Sequence, residues 1–224
     1  KVDGIIISPT ETNAQYINKI SRSGIPIILV DRLLPSIDAT SVVVDNRLGA
    51  YEGVNHLIKH GYKRIGIIKG LCGISILEDR FLGYEQVLKE NGITIEEDLI
   101  RYGEFDTEIS QQATKELLEL PEPPDSIFIT SEAMILGAIL AIKEKKLRIP
   151  EDIGIIAFDD PIWAPICTPP LTTIKQPSYT LGTIAAQKIF TQIQNDKQKR
   201  DANIVLRTEL VIRKSCGEAA SSRS

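Results

Sequence analysis

Two carboxylates stand at the tip of one apolar run: "IGIIAFDD" places Asp159 and Asp160 directly after a stretch that suits a buried strand. A carboxylate there can accept two hydroxyl donors at once, which suits a sugar or polyol. Asp159 is read as that ligand anchor, and Asp160 as a turn or helix cap ahead of Pro161. Arg80, early in "EDRFLGYEQVL", carries a planar guanidinium that can hold a carboxylate, a phosphate or a pair of hydroxyls. The competing reading is a surface pair with Glu78 or Glu85. Phe105, in "RYGEFDTE", follows another apolar run, and Trp163, the sole tryptophan, sits among prolines in "DPIWAPICTPP". Either ring can stack on the apolar face of a bound ring or pack into a core. Asp31, closing "IPIILVD", is another acid at a strand tip, placed for ligand contact or for an ion pair with Arg32.

Signatures of catalysis are missing. The sequence contains no GxGxxG after a strand, no phosphate-loop GKS or GKT, no GxSxG and no HExxH. His56 and His60 are spaced i,i+4 in "HLIKH" but lack a third ligand, so they are read as exposed near a helix end rather than as a metal site. Cys72, Cys167 and Cys216 are too few and too scattered for a disulfide frame or zinc, and are read as free thiols in a reducing cytosol. No metal, no cofactor and no enzyme activity is expected. A formal net charge of -4 argues against this segment gripping nucleic acid by itself. With no apolar run of about 18 residues, no membrane span is expected. The chain opens on "KVDGIIISPT", a strand already in progress, so the reading is that an N-terminal piece is missing. The closing "GEAASSRS", residues 217–224, reads as a disordered tail or an expression remnant.

The elements that must position these residues alternate. Apolar runs predict strands at 4–8, 26–31, 41–44, 64–69, 99–103, 126–130, 153–158, 171–174, 203–206 and 209–213. Helical periodicity predicts helices at 12–23, 46–60, 78–91, 108–119, 131–145 and 178–195, several of them closed by glycine or proline. Strand runs that are apolar throughout suit parallel sheets covered on both faces, hence an α/β doubly wound architecture. Two crossings, at 44–46 and 172–177, suggest two lobes. Residues 1–45 plus 176–202 are assigned to an N-terminal lobe, and 46–175 plus 203–216 to a C-terminal one. Ligands of open α/β sheets collect at the carboxyl ends of the strands.

In order along the chain, "VDGIIISPT", "IPIILVDR", "VVVDNRLGAYEGVNHLIKHGYKRIGIIKG", "RFLGYEQVLKENGI", "PPDSIFITSEAMILGAILAIKEKKLRIPEDIGIIAFDD" and "PPLTTIKQPSYTLGTIAAQKI" resemble the lactose/galactose-repressor (LacI/GalR) family over nearly the whole chain to Cys216. The resemblance implies the effector-sensing core of such a regulator, with the periplasmic-binding-protein fold of two lobes around a cleft. It also implies that the first lobe is incomplete, because family members carry a helix-turn-helix domain, a hinge helix and two β-α units ahead of "VDGIIISPT". Carried over by position, Arg80 matches the arginine that grips the effector, and Asp159 matches the acid that takes sugar hydroxyls. Phe105 matches a cleft aromatic, Asp31 an acid near cleft and hinge, and Gln176 the crossover. Trp163 stays a candidate for stacking. Where the family shows Asn-Asp or Asp-Asp, this chain has Ser131-Glu132. Ser131 can still bond a hydroxyl with shorter reach, which puts the usual monosaccharide specificity in question. The helix at 132–145 resembles the family's dimer helix, with Met134, Ile135, Ala138 and Ile139 as the contact face.

The function implied is a LacI-type transcriptional regulator, a repressor, whose small sugar-like effector shifts a two-state equilibrium and so controls operator binding. The implied partners are the effector, a second copy of the chain, and operator DNA reached only through the missing N-terminal domain, all in the cytoplasm. The alternative is the sugar-binding protein of a transport system, which shares the fold; the upstream gene sequence separates the two.

Overall fold

The computed structural model describes residues 2–10, 13–34, 36–37, 39–71, 73–194 and 203–217. Cys72 and the tail after residue 217 lie outside the described residues. In chain order come β1 (Ile5–Ile7), α1 (Ala14–Arg22), β2 (Ile27–Val30), β3 (Thr40–Val44), α2 (Asn46–Lys59) and β4 (Ile65–Lys69). Next are α3 (Ser75–Glu90), β5 (Ile100–Tyr102), α4 (Thr107–Leu118), β6 (Ser126–Ile129), α5 (Glu132–Glu144) and β7 (Gly154–Phe158). The chain closes with β8 (Thr172–Lys175), α6 (Ser178–Gln194), β9 (Ile204–Leu206) and β10 (Glu209–Val211). It divides into two units: residues 1–45 with 177–207, and residues 46–176 with 208–224.

The first unit holds a parallel sheet in the order β1-β2-β3-β9. Alternate residues of β2 point to opposite faces, as strand geometry requires. Ile27 and Leu29 meet Ile17 of α1 on one side; Ile28, Val42 and Val44 meet Leu181, Ala185 and Ile189 of α6 on the other. The position of β9 corrects the sequence reading, which gave 203–206 to the C-terminal lobe. Val42 pairs with Ile204 and Val44 with Leu206, so this strand closes the first unit. Because α6 lies across the sheet, the chain leaving it returns as a parallel neighbour of β3.

The second unit holds the order β10-β8-β7-β6-β4-β5. All neighbours are parallel except β10, which runs antiparallel to β8 along the edge. β4, β6 and β7 are buried along their whole length, which explains their unbroken apolar runs. On one face, Ala50, Val54 and Leu57 of α2 and Tyr84, Val87 and Leu88 of α3 pack on Ile65, Ile67, Phe128, Ile156 and Phe158. On the other, Ala113 and Leu117 of α4 and Met134, Ile135, Ala138 and Ile142 of α5 pack on Ile68, Ile127, Ile129 and Ile155. The helices within each layer touch at glycines: a Cβ on Gly83 would stand 2.3 Å from the Arg47 carbonyl oxygen, and one on Gly137 2.2 Å from that of Thr107.

Two further expectations are corrected. Met134, Ile135 and Ala138 are wholly buried in their own unit, so they cannot form a dimer face; Ile139 is partly buried against the same cluster. The outward apolar residues of α5 are Leu136 and Leu140 instead. Asp160 caps no turn: its oxygens accept from Arg213 at 2.7 and 3.1 Å and from the Thr173 hydroxyl at 2.8 Å. Burial pushes its pKa up, but the bonds from Arg213 and Thr173 outweigh that and leave it below the usual carboxylate value. This pair fastens the segment after β10 to the loop after β7.

Candidate functional site

In the second unit β4 lies between β5 and β6, so the chain leaves it in both directions and the order reverses there. Such a switch point opens a crevice at the carboxyl ends of the strands, where α/β sheets take ligands. The loops after β4, β5, β6 and β7 all emerge at that edge.

Three strand-tip residues named from the sequence have left-handed backbones. Asp31 has φ 70°, Phe105 has φ 60° and Asp159 has φ 77°; Glu104, beside Phe105, has φ 52°. Non-glycine residues are held this way only where surrounding bonds over-determine them, and such positions gather at binding sites. For Asp159 those bonds are visible. Its backbone N–H donates to the Ile174 carbonyl at 2.9 Å. One carboxylate oxygen accepts from the Glu132 N–H at 3.1 Å, and the other from Gln176 Nε2 at 2.5 Å. The first contact satisfies an orphan donor at the start of α5 and sets a negative charge on the positive end of the helix. It also explains why Ser131, the residue ahead of that helix, makes no side-chain cap bond. Asp159 keeps 21% of its side chain exposed, which leaves lone pairs for hydroxyl donors.

Arg80 lies behind it, 2% exposed. Nε donates to Asn46 Oδ1 at 2.8 Å and Nη1 to the Thr130 carbonyl at 2.6 Å; Nη1 is 4.0 Å from Asp159 Oδ2. The guanidinium stacks 3.6 Å above the Phe158 ring centroid. So deeply buried, it is not the surface arginine of the competing reading. Arg80 is therefore a buried tie between α2, α3, β6 and β7 that also faces the Asp159 carboxylate.

Phe105 is half-buried, with its ring over the backbone of Gly70; a Cβ on Gly70 would lie 3.1 Å from Phe105 Cζ. Trp163 packs against the α4–α5 cluster, the core reading of that ring. Asp31 sits in the first unit, where it accepts from the Ser8 hydroxyl at 3.5 Å and lies 3.6 Å from Arg32 Nε. Gln176 belongs to the second unit, at Asp159. The second unit thus gathers Arg80, Asp159, Ser131, Gln176 and Phe105 at one sheet edge and packs Trp163 in its core, while Asp31 belongs to the first unit.

Three participants were missed. Asn46 starts a helix directly after a strand, a position where Asn commonly bonds locally, yet its side chain is buried on Arg80. Thr130 acts through its carbonyl, which no sequence pattern reveals. Lys69 closes an apolar strand and is only 5% exposed. Nζ is 3.5 Å from Glu78 Oε2, 3.7 Å from the Phe81 ring centroid and 5.6 Å from that of Tyr102. A charged residue inside an apolar run was the available signal. Elsewhere, His56 is not exposed as expected but 8% exposed, and burial, with the nearby charges of His60 and Lys59, lowers its pKa to about 4. Among the described residues there is no group of three or more metal-ligating side chains, and no helix is long and apolar enough to cross a membrane.

A family model described as a periplasmic binding protein-like domain matches residues 54–216. The HTH-type transcriptional repressor CytR of Escherichia coli is 33% identical over 215 residues, covering 96% of this chain and 63% of that protein. The chain therefore spans just under two thirds of that curated relative. Among solved structures, a LacI transcriptional regulator from Bacillus cereus is 28% identical with TM-score 0.86, over 97% of this chain and 77% of that one. The transcriptional regulator CelR in complex with cellobiose is 28% identical with TM-score 0.85, over 96% and 66%. These relatives are transcriptional regulators. The chain belongs to the periplasmic binding protein-like family, in the form that makes up the effector-binding core of LacI-type transcriptional regulators.

Proposed function

We propose that this chain senses a small polyhydroxylated effector at the carboxyl edge of the second unit's sheet. Asp159 accepts ligand hydroxyls, the Ser131 hydroxyl adds a shorter contact, Phe105 offers a ring face, and Arg80 and Gln176 hold the Asp159 carboxylate in place. The single observation that carries the reading is Asp159 itself: a left-handed strand-tip residue, held by Glu132 and Gln176 yet partly open to solvent. That the related CelR was solved with cellobiose supports a saccharide-like ligand. In the whole protein, which the curated relatives suggest is longer, effector binding changes affinity for operator DNA through a segment outside this chain. Coupling of ~1–3 kcal/mol would change that affinity about 5- to 150-fold. The full regulator works as a cytoplasmic homodimer. Leu136 and Leu140 of α5, with Ile162 and Ile166 of the following proline-marked loop, are the exposed apolar side chains suited to its interface.

Calorimetry with hexoses, disaccharides, nucleosides and their acidic derivatives tests the reading. Asp159→Asn keeps the shape but turns a donor toward Glu132 N–H or Gln176, so affinity for whichever compound binds falls about 100-fold or more. Unchanged affinity in that variant removes Asp159 from the site.

A further inference from the structure

We propose that Lys69 is a specificity-determining residue that makes the sensor prefer effectors bearing a carboxylate or phosphate; this rests on the site reading above. Lys69 ends β4, the strand at which the sheet order reverses, so its backbone stands at the ligand edge, and its ammonium lies near Glu78 on the first turn of α3 and the Tyr102 ring at the end of β5. It is tied to the loop that carries Phe105: the Gly103 N–H donates to the Lys69 carbonyl at 2.7 Å, and the Phe105 ring covers Gly70, the next residue. A ligand stacked on Phe105 would then stand next to Gly70, the residue that follows Lys69.

The ammonium is poorly matched for its burial. Taking a cation out of water is costly unless close hydrogen bonds replace those lost. Among the described residues the only carboxylate within ion-pair distance is Glu78, at 3.5 Å, with 43% of its side chain exposed. The faces of Phe81 and Tyr102 attract the charge without occupying its three N–H donors. Glu78, on the first turn of α3, is thus a replaceable counter-ion. An anionic group on the ligand takes its place on Lys69, Glu78 turns to water, and the local charge balance is kept. Arg80 cannot serve this purpose: Nε and Nη1 are committed to Asn46 and Thr130, and its charge faces Asp159. Asp159 then takes the hydroxyls and Lys69 the acid group.

The test compares neutral compounds with acidic partners of the same skeleton on the intact chain, by calorimetry: glucose and galactose against glucuronate, galacturonate and glucose 6-phosphate, and cytidine against its 5′-monophosphate. An acidic member is expected to bind about tenfold or more tighter than its neutral parent. Lys69→Met, which keeps the apolar stem, should weaken the acidic member by about tenfold and the neutral one by less than about threefold, and Glu78→Gln should tighten the acidic one. Neutral compounds binding as well as acidic ones would overturn the inference and leave the proposed function standing. Equal weakening of both classes by Lys69→Met would also overturn it, reducing Lys69 to packing. Loss of binding in Asp159→Asn, together with the first pattern, keeps the two claims apart; no binding by any compound overturns both.

Discussion

Replacing Arg80 by Met tests whether this arginine is a structural tie as well as a site residue. The change keeps most of the stem and deletes the guanidinium. Two bonds vanish, at 2.8 Å to Asn46 Oδ1 and 2.6 Å to the Thr130 carbonyl, along with the stack on Phe158. Charged hydrogen bonds contribute about 1.5–3 kcal/mol each, and a buried acceptor left unmade costs on the order of 1–3 kcal/mol. Asn46 is almost fully buried, so water cannot replace its lost partner. Against this, the variant no longer buries a cation, which returns a few kcal/mol. The net is a loss of about 2–4 kcal/mol, or roughly 5–15 °C in the melting temperature of a unit this size. Arg80→Ala, which also opens a cavity, costs more, so lost ligand binding in that variant alone would say nothing about contact. Trp163 is the only tryptophan and lies in the second unit, so its fluorescence through a urea titration follows that unit alone. Asn46→Ala combined with Arg80→Met should cost at least about 1 kcal/mol less than the two single changes added together. A cost below about 0.5 kcal/mol for Arg80→Met, with strict additivity in the double variant, would refute the tie.

His56, with a folded pKa of about 4 against an ordinary value of 6.5, resists protonation in the folded state. Stability from this residue is therefore whole above pH 7 and is lost as pH falls through 6.5 toward 4, by about 1–2 kcal/mol once partial solvent access is allowed for. Urea titrations across that window should show the decline in the parent protein and a flatter profile in His56→Gln. Gly137→Ala drives a methyl into the Thr107 carbonyl and should cost about 1–3 kcal/mol, whereas Gly182→Ala, with nothing within 4 Å, should gain about 0.5–1 kcal/mol; paired thermal melts check the sign of each.

Much of the scaffold was legible because burial leaves its mark on composition. β4, β6 and β7 are covered on both faces, so their residues are apolar without alternation, and glycines at 24, 61 and 92 take the left-handed conformation that ends a helix. The start of α3 was not legible: Ile74 precedes it with no side-chain cap, so nothing marks the first turn, and the helix begins at Ser75 instead of Glu78. The face of α5 was ambiguous for a different reason. "EAMILGAILAIKE" is apolar nearly all round, so periodicity cannot say whether Met134 and Ile135 or Leu136 and Leu140 turn inward. Asp159 was singled out because a carboxylate after an apolar run stands out. Asn46 and the Thr130 carbonyl were not, because ordinary helix starts and backbone atoms carry no such contrast. Short strands such as β9 and β10 have too few residues for pattern to decide which sheet they join.

The second unit is discontinuous in sequence, since β10 reaches it only after the chain has passed through α6 and β9 of the first. Its final residues are integral: the Ser215 hydroxyl donates to the Ile155 carbonyl and accepts from the Thr172 N–H, Cys216 is fully buried, and Arg213 clamps Asp160. During vectorial synthesis, therefore, the flank of β8 that β10 covers waits unpaired until β10 has left the ribosome. A nascent chain stalled before residue 208 presents that flank to any passing strand, an aggregation hazard that lasts until β10 is available to cover it.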